Sequence, residues 1–376
     1  MTPAPGPSAV ASAPPAIGLG TAARSGWIDV AKGLGILLVV YGHVTRGLAN
    51  SGIAIDPGWF ATLDALIYAF HMPLFFLLSG WFFLSSLARR GPRDYLATRV
   101  ATVLWPYVLW SLLQGGIELA MSRWTRQPLA AGEVLALAWA PRAQFWFLHA
   151  LFLISLIALA LCARRPRAGV PALLAIGLVT HFLQQVAWPT ALSTVASMLV
   201  YFAAGAWLGA RGWGDGTLRR LALAGVLGGV VALGLVLTLA PSPPGDWVRL
   251  SGLIASGLGI AATCGLALVI AARPGGLARG LASLGRASMA IFLAHILVAS
   301  GVRILLAKGL HLGSPSLHLL LGVVAGTLLP WWLWQRVQGR AGMVLFELPP
   351  AWRRRLAGEG AGLHGRPMSA PRPFDR

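Results

Sequence analysis

Trp27–Val44 reads WIDVAKGLGILLVVYGHV, and the apolar run that it opens continues to about residue 48. A helix rises about 1.5 Å per residue and needs about 20 apolar residues to cross the hydrocarbon of a bilayer. This stretch meets that length, and its apolar residues do not alternate as those of a barrel strand would. Similar runs recur at about 64–87, 97–120, 144–162, 169–187, 192–210, 219–240, 250–271, 287–307 and 316–336. The sequence therefore predicts an all-α polytopic integral membrane protein with about ten transmembrane helices. Composition agrees. The chain is 57% hydrophobic and 11% charged, with a mean hydropathy of +0.72, whereas soluble domains carry about 25% charged residues.

The net charge of +19 could suggest a nucleic-acid partner. The 30 Lys and Arg instead fall in short clusters between apolar runs, and no nucleic-acid module is present. Their distribution fits the positive-inside rule. Twenty-three fall on one side, among them Arg89, Arg90, Arg93 and Arg99, and seven on the other. That split predicts both termini in the cytoplasm, as an even number of spans requires. Residues 1–23 read as a flexible tail without a signal-peptide pattern. Residues 24–340 read as the transmembrane domain, and 341–376 as a basic, Pro/Gly-rich cytoplasmic tail. Cys162 and Cys264 suggest neither a disulfide nor a metal site.

Ionisable side chains within a bilayer are costly and mark function by default. The first span holds Asp29, Lys32 and His43, with Asp29 and Lys32 spaced to pair at i, i+3. His43 follows a large aliphatic run and Tyr41. In the second span His71 stands just before Pro73, which should kink the helix and free a backbone carbonyl. With the first span entering from inside and the second leaving there, His43 and His71 fall at similar depth, about 24 and 27 Å from the inner face. Glu118, His149 and His181 also fall toward the outer ends of their spans, and His295 lies nearer mid-membrane. A helix-to-helix hydrogen bond accounts for His149, His181 or His295 as readily as catalysis does. Trp146 opens the fourth span, where an interfacial anchor is the simpler reading. Gly205 with Gly209 and Gly225 with Gly229 are spaced for close helix packing.

The ordered set WIDVAKGLGILLVVYGH, FHMPLFFLLSG, the Arg-rich segment with a later WPY, FWFL and SLGRASMAIFLAH resembles the acyltransferase-3 family of membrane-bound O-acyltransferases. The first two segments are most similar to its fucose 4-O-acetylase-like branch. The resemblance implies transfer of an acyl group, usually acetyl from acetyl-CoA, to a hydroxyl of a sugar or surface polysaccharide. Acyl-CoA is then a co-substrate with no bound cofactor or metal, the acceptor is a carbohydrate, and a bacterial inner membrane is the expected location. The family's basic residue, ten residues and histidine fall on Lys32 and His43, its Arg-x-x-Arg on Arg90 and Arg93, and its Phe-x-x-Ser-Gly on Phe76, Ser79 and Gly80. Lys32 in place of the commoner Arg lacks the guanidinium fork.

On this reading His43 and Lys32 are the catalytic residues, His43 as general base or transient acyl carrier and Lys32 in contact with phosphate or paired with Asp29. Arg90 and Arg93, with Arg89 and Arg99, hold the donor's phosphates. His71, Glu118, Trp146 and His149 support the base or meet the acceptor. The alternative is a transporter or flippase for a surface-polymer precursor, which needs the same spans and intramembrane charges but leaves its cargo unmodified.

Overall fold

The computed structural model describes residues 21–53, 56–122, 130–183, 190–211, 217, 220, 223–229, 231, 246–273 and 275–358. The described elements are helical. Among the described residues eight helices are long and apolar enough to cross a membrane, from Gly26–Ser51 to Pro315–Val337, and Ala168–Phe182 is a shorter apolar helix. Nine of the ten expected spans coincide with these helices. The seventh, at 219–240, lies largely outside the described residues, of which 223–229 are helical. Leu320, Leu321, Val324 and Leu328 leave one face of the last long helix exposed, as lipid-facing side chains require.

Helices α1 (Thr21–Ser51), α2 (Pro57–Trp81), α8 (Thr190–Gly209), α9 (Asp246–Ala271), α10 (Gly276–Arg286), α11 (Ser288–Ile304) and α12 (Pro315–Val337) pack around one another, and α6 (Trp146–Cys162) and α7 (Pro166–Phe182), which follow the short α5 (Ala131–Leu135), pack on α8. Asp56 caps α2 by accepting from the Trp59 N–H at 2.7 Å, with Pro57 in the first turn. Pro73 has no N–H for the Ala69 carbonyl, and the freed oxygen accepts from Ser256 Oγ of α9 at 2.5 Å. The expected free carbonyl therefore holds two spans together.

The α2–α8 seam is a close backbone contact. A Cβ on Gly80 would lie 2.0 Å from the Phe202 carbonyl oxygen, one on Gly205 2.0 Å from that of Leu77, and one on Gly209 2.1 Å from that of Trp81. Only glycine permits that approach.

Two sequence expectations are corrected. The second span ends at Trp81, about six residues early, and a new helix, α3 (Phe83–Arg99), begins after Phe82. Uniform apolarity across FFLLSGWFFL hides such a break from hydropathy. The Arg-rich segment is thus helical, broken only at Gly91, whose φ of 77° precedes Pro92. It runs through a π-helical turn, Val100–Leu104, into α4 (Trp105–Ala120). Secondly, the expected tail from 341 is packed as far as Ala357. Ala341–Leu345 is a 3₁₀ turn, Phe346 and Leu348 are buried, and α13 (Pro350–Ala357) lies against α3. Isolated apolar residues between Arg and Pro give no periodic signal, so composition misreads the segment.

Candidate active site

Helices α1, α2 and α11 bring three histidines to one level. The His43 and His295 rings lie 5.0 Å apart between centroids, and Tyr68 joins His43 (6.2 Å) to His71 (4.6 Å). Each imidazole is oriented by its own helix. His43 Nδ1 meets the Val39 carbonyl at 3.0 Å, His71 Nδ1 that of Ile67 at 2.7 Å, and His295 Nδ1 those of Ile291 and Phe292 at 3.0 and 2.8 Å. A carbonyl only accepts, so Nδ1 carries the hydrogen in all three, and in the neutral form each Nε2 offers a lone pair. His295 Nε2 is buried with no hydrogen-bond partner, and its ring lies against that of His43.

One turn beyond His43, Arg46 forms a bidentate pair with Asp64 of α2 at 2.6 and 2.7 Å. Its guanidinium lies 3.2 Å above the Tyr68 ring centroid. Arg303 of α11 donates to the Gly47 carbonyl at 2.8 Å. These contacts tie the ends of the three helices together above the histidines.

Toward the other end of α1 lies a cavity of about 490 Å³. Its charged end carries Asp29, Lys32, Arg99, Arg286 and Glu347; its apolar end carries Ile36, Phe75, Phe147 and Phe292. The Phe147 ring is 6.1 Å from Phe75 and 5.2 Å from Phe292, and Phe292 is 6.1 Å from His295. An aromatic layer thus separates the cavity from the histidines. Asp29 lies 3.8 Å from Arg286, and Lys32, one turn along α1 as its spacing suggested, attracts it electrostatically without a direct ion-pair contact. Lys32 Nζ lies 5.6 Å from the Phe82 ring centroid. Arg99 donates to Tyr95 Oη at 3.0 Å. Ser79 also lines the cavity, while Phe76 is fully buried with its ring 5.0 Å from Phe147.

The other expected site residues are dispersed. Arg89, Arg90 and Arg93 are exposed on α3 and are not cavity residues; Arg90 reaches Thr98 Oγ1 at 3.3 Å. Glu118 pairs with Arg142 at 3.3 Å and accepts from Gln114 at 2.9 Å, in a network continued by Gln144. His149 Nε2 meets the Ala138 carbonyl at 3.0 Å, and its ring lies 5.5 Å from Tyr107. Trp146 stacks on Phe76 at 6.4 Å. His181 Nδ1 bridges helices by donating to the Ser197 carbonyl at 3.2 Å. In the sequence Arg46, Arg286 and Arg303 stand out only as topological charge, and Asp64, Tyr68 and Glu347 do not stand out as site residues. Asp64 had a signal: it is the lone carboxylate in the second apolar run. Among the described residues no cluster of three or more His, Cys, Asp or Glu could hold a metal.

A family profile described as "Acyltransferase domain" matches residues 25–335. The chain belongs to that family, acyltransferase-3. It is similar to the nodulation protein NolL of Mesorhizobium japonicum, at 34% identity over 94 residues, 25% of each chain. It is also similar to NolL of Sinorhizobium fredii, at 32% identity over 92 residues, 24% of this chain and 25% of that one. The matched stretch thus spans about a quarter of the length of these relatives. No solved structure matches the chain.

Proposed function

From that membership we propose that this membrane acyltransferase moves an acyl group, acetyl in the simplest case, from acyl-CoA to a hydroxyl of a sugar or surface polysaccharide. The observation that carries the reading is the cavity itself. Its cationic end at Lys32, Arg99 and Arg286 suits phosphates, and its apolar end stops at Phe75, Phe147 and Phe292, the layer beyond which His295 and His43 lie and between whose rings the thioester has to pass. A charged head and a long thin arm ending in a thioester match that polarity. Of the arginines expected from sequence, Arg99 is the one on the cavity wall, so the donor's phosphates are assigned to Lys32, Arg99 and Arg286. Exposed Arg89, Arg90 and Arg93 attract the polyanion to that end.

The acceptor hydroxyl approaches from the Arg46–Asp64 side. His43 Nε2 takes its proton as the oxygen attacks the thioester carbonyl. The C–S bond breaks, and the thiolate leaves and takes up the proton held by His43. His295 Nε2, a buried acceptor without a partner on a ring 5.0 Å from that of His43, orients and shares that proton. The phenylalanine layer keeps water from the thioester. His71, through Tyr68, holds the ring layer in place. The basic end of the bundle then faces the cytoplasm, where acyl-CoA is made, in a bacterial inner membrane.

The test compares surface glycans by NMR and mass spectrometry from cells carrying the wild type, His43→Ala or no protein. The expected result is an O-acyl ester present with the wild type alone. Identical acylation in all three, with a precursor trapped inside when the protein is missing, refutes the transferase and favours transport.

A further inference from the structure

Residues 341–348 lie beyond the stretch matched by the family profile, 25–335. They nevertheless supply three residues of the cavity wall, Met343, Phe346 and Glu347. The way in which they are held explains how non-helical chain is tolerated among the spans. Trp105 Nε1 donates to the Val344 carbonyl and Trp110 Nε1 to the Leu345 carbonyl, each at 2.7 Å, and the Phe346 ring stacks on Trp110 at 6.1 Å. The Leu348 N–H finds the Ala101 carbonyl at 3.0 Å. That oxygen is available for a local reason. In the π turn the Trp105 N–H bonds Val100 rather than Ala101, and the next residue, Pro106, has no N–H. Backbone groups at membrane depth need such partners. Trp105 and Trp110 lie six and eleven residues beyond Arg99 along the same helical run, about 9 and 16 Å. The segment therefore turns back into the bundle after α12.

We propose that residues 341–348 form a re-entrant strap that completes the donor site and selects its occupant, with Met343, Phe346 and Glu347 as specificity residues. This rests on the reading of the cavity as the acyl-CoA site. Met343 and Phe346 give the pantetheine arm an apolar wall. Glu347, whose carboxylate is 3.6 Å from Arg353 Nη1, offers acceptors, which repel phosphate and suit amide N–H and hydroxyl groups. At the charged end it therefore takes an amide N–H or hydroxyl of the donor, beside the phosphates met by Lys32, Arg99 and Arg286. The indole donors of Trp105 and Trp110 position the strap from behind.

The experiment uses the full chain in detergent or proteoliposomes with acetyl-CoA as the probe. Phe346→Ala and Glu347→Gln are compared with Lys32→Gln and Arg99→Gln for KM, kcat and protection by CoA against thermal unfolding. Loss of a close pocket contact costs about tenfold or more. Phe346→Ala and Glu347→Gln should each raise the acetyl-CoA KM by that factor, leaving kcat and the acceptor KM unchanged. A merely structural strap would change stability without this split. Glu347→Gln is isosteric and keeps the test intact if Phe346→Ala folds poorly. An unchanged acetyl-CoA KM in both strap variants, with a raised one in Lys32→Gln or Arg99→Gln, overturns the strap and spares the donor site. No change in any of the four overturns the donor site and the strap with it.

Discussion

Replacing Gly205 by alanine tests whether the site depends on the α2–α8 seam. The new methyl would lie 2.0 Å from the Leu77 carbonyl oxygen, and ordinary contact begins at 3.4 Å. The oxygen belongs to backbone and cannot turn aside, so the helices must part locally by about 1.4 Å, the difference between those distances. Overpacking of this kind costs about 1–3 kcal/mol. The displacement also reaches the chemistry, because α2 carries Phe75 and Ser79 on the cavity wall and His71 beneath Tyr68. A 1 Å misplacement costs about 10²-fold in rate. Gly116→Ala is the control: its Cβ meets nothing within 4 Å, and alanine should stabilise α4 by up to about 1 kcal/mol. The assay is thermal unfolding of the detergent-solubilised protein, followed by transfer from acetyl-CoA. Gly205→Ala should melt lower and lose most activity, and Gly116→Ala should do neither. If Gly205→Ala melts with the control and keeps full activity, the seam does not position the site.

His43→Gln should lower kcat by about 10²–10⁴-fold with the acetyl-CoA KM unchanged, since His43 lies about 16 Å along α1 from Lys32; steady-state kinetics checks the split. Arg46→Ala and Asp64→Ala, alone and together, should show a coupling of about 1–3 kcal/mol in thermal stability, and each should weaken acceptor use before donor use. Ser256→Ala leaves the Ala69 carbonyl without its donor and should cost about 1 kcal/mol; a melting curve matching the wild type would refute this.

The spans were legible because hydropathy acts over twenty residues at once, and Pro73 was legible because its missing N–H is a fixed property. The break at Trp81–Phe82 was not, because apolar side chains flank it on both sides. An ionisable group was legible as a candidate wherever it stood alone in an apolar run. His43 and His71 met that condition, and the depth argument from topology brought them to one level. Glu118 and His149 met it too, yet they hold the 114–144 network and the Ala138 carbonyl. Depth orders residues along the membrane normal and carries no information about azimuth, so helices at one level need not face one cavity.

Azimuth also decides among the arginines. Arg90, Arg93 and Arg99 share one helical run, but Gly91, with φ of 77°, breaks that run between the first and the other two. The helical phase of Arg90 is therefore not carried past the break. Arg93 and Arg99 are six residues apart on one helix, about 600° of rotation at 3.6 residues per turn, which leaves them about 120° from alignment. One of the two can line a cavity while the other faces out, and Arg99 is the inward one. Neither spacing nor charge distinguishes them until the packing of α3 against its neighbours is known. The strap was hidden for the same kind of reason. Its partners, Ala101, Trp105 and Trp110, lie 235 to 247 residues earlier in the chain, and what attracts it is a carbonyl left over by a π turn and a proline. Such an acceptor exists only after the helix has formed, so the sequence holds its cause at Trp105–Pro106 while its consequence lies at Leu348.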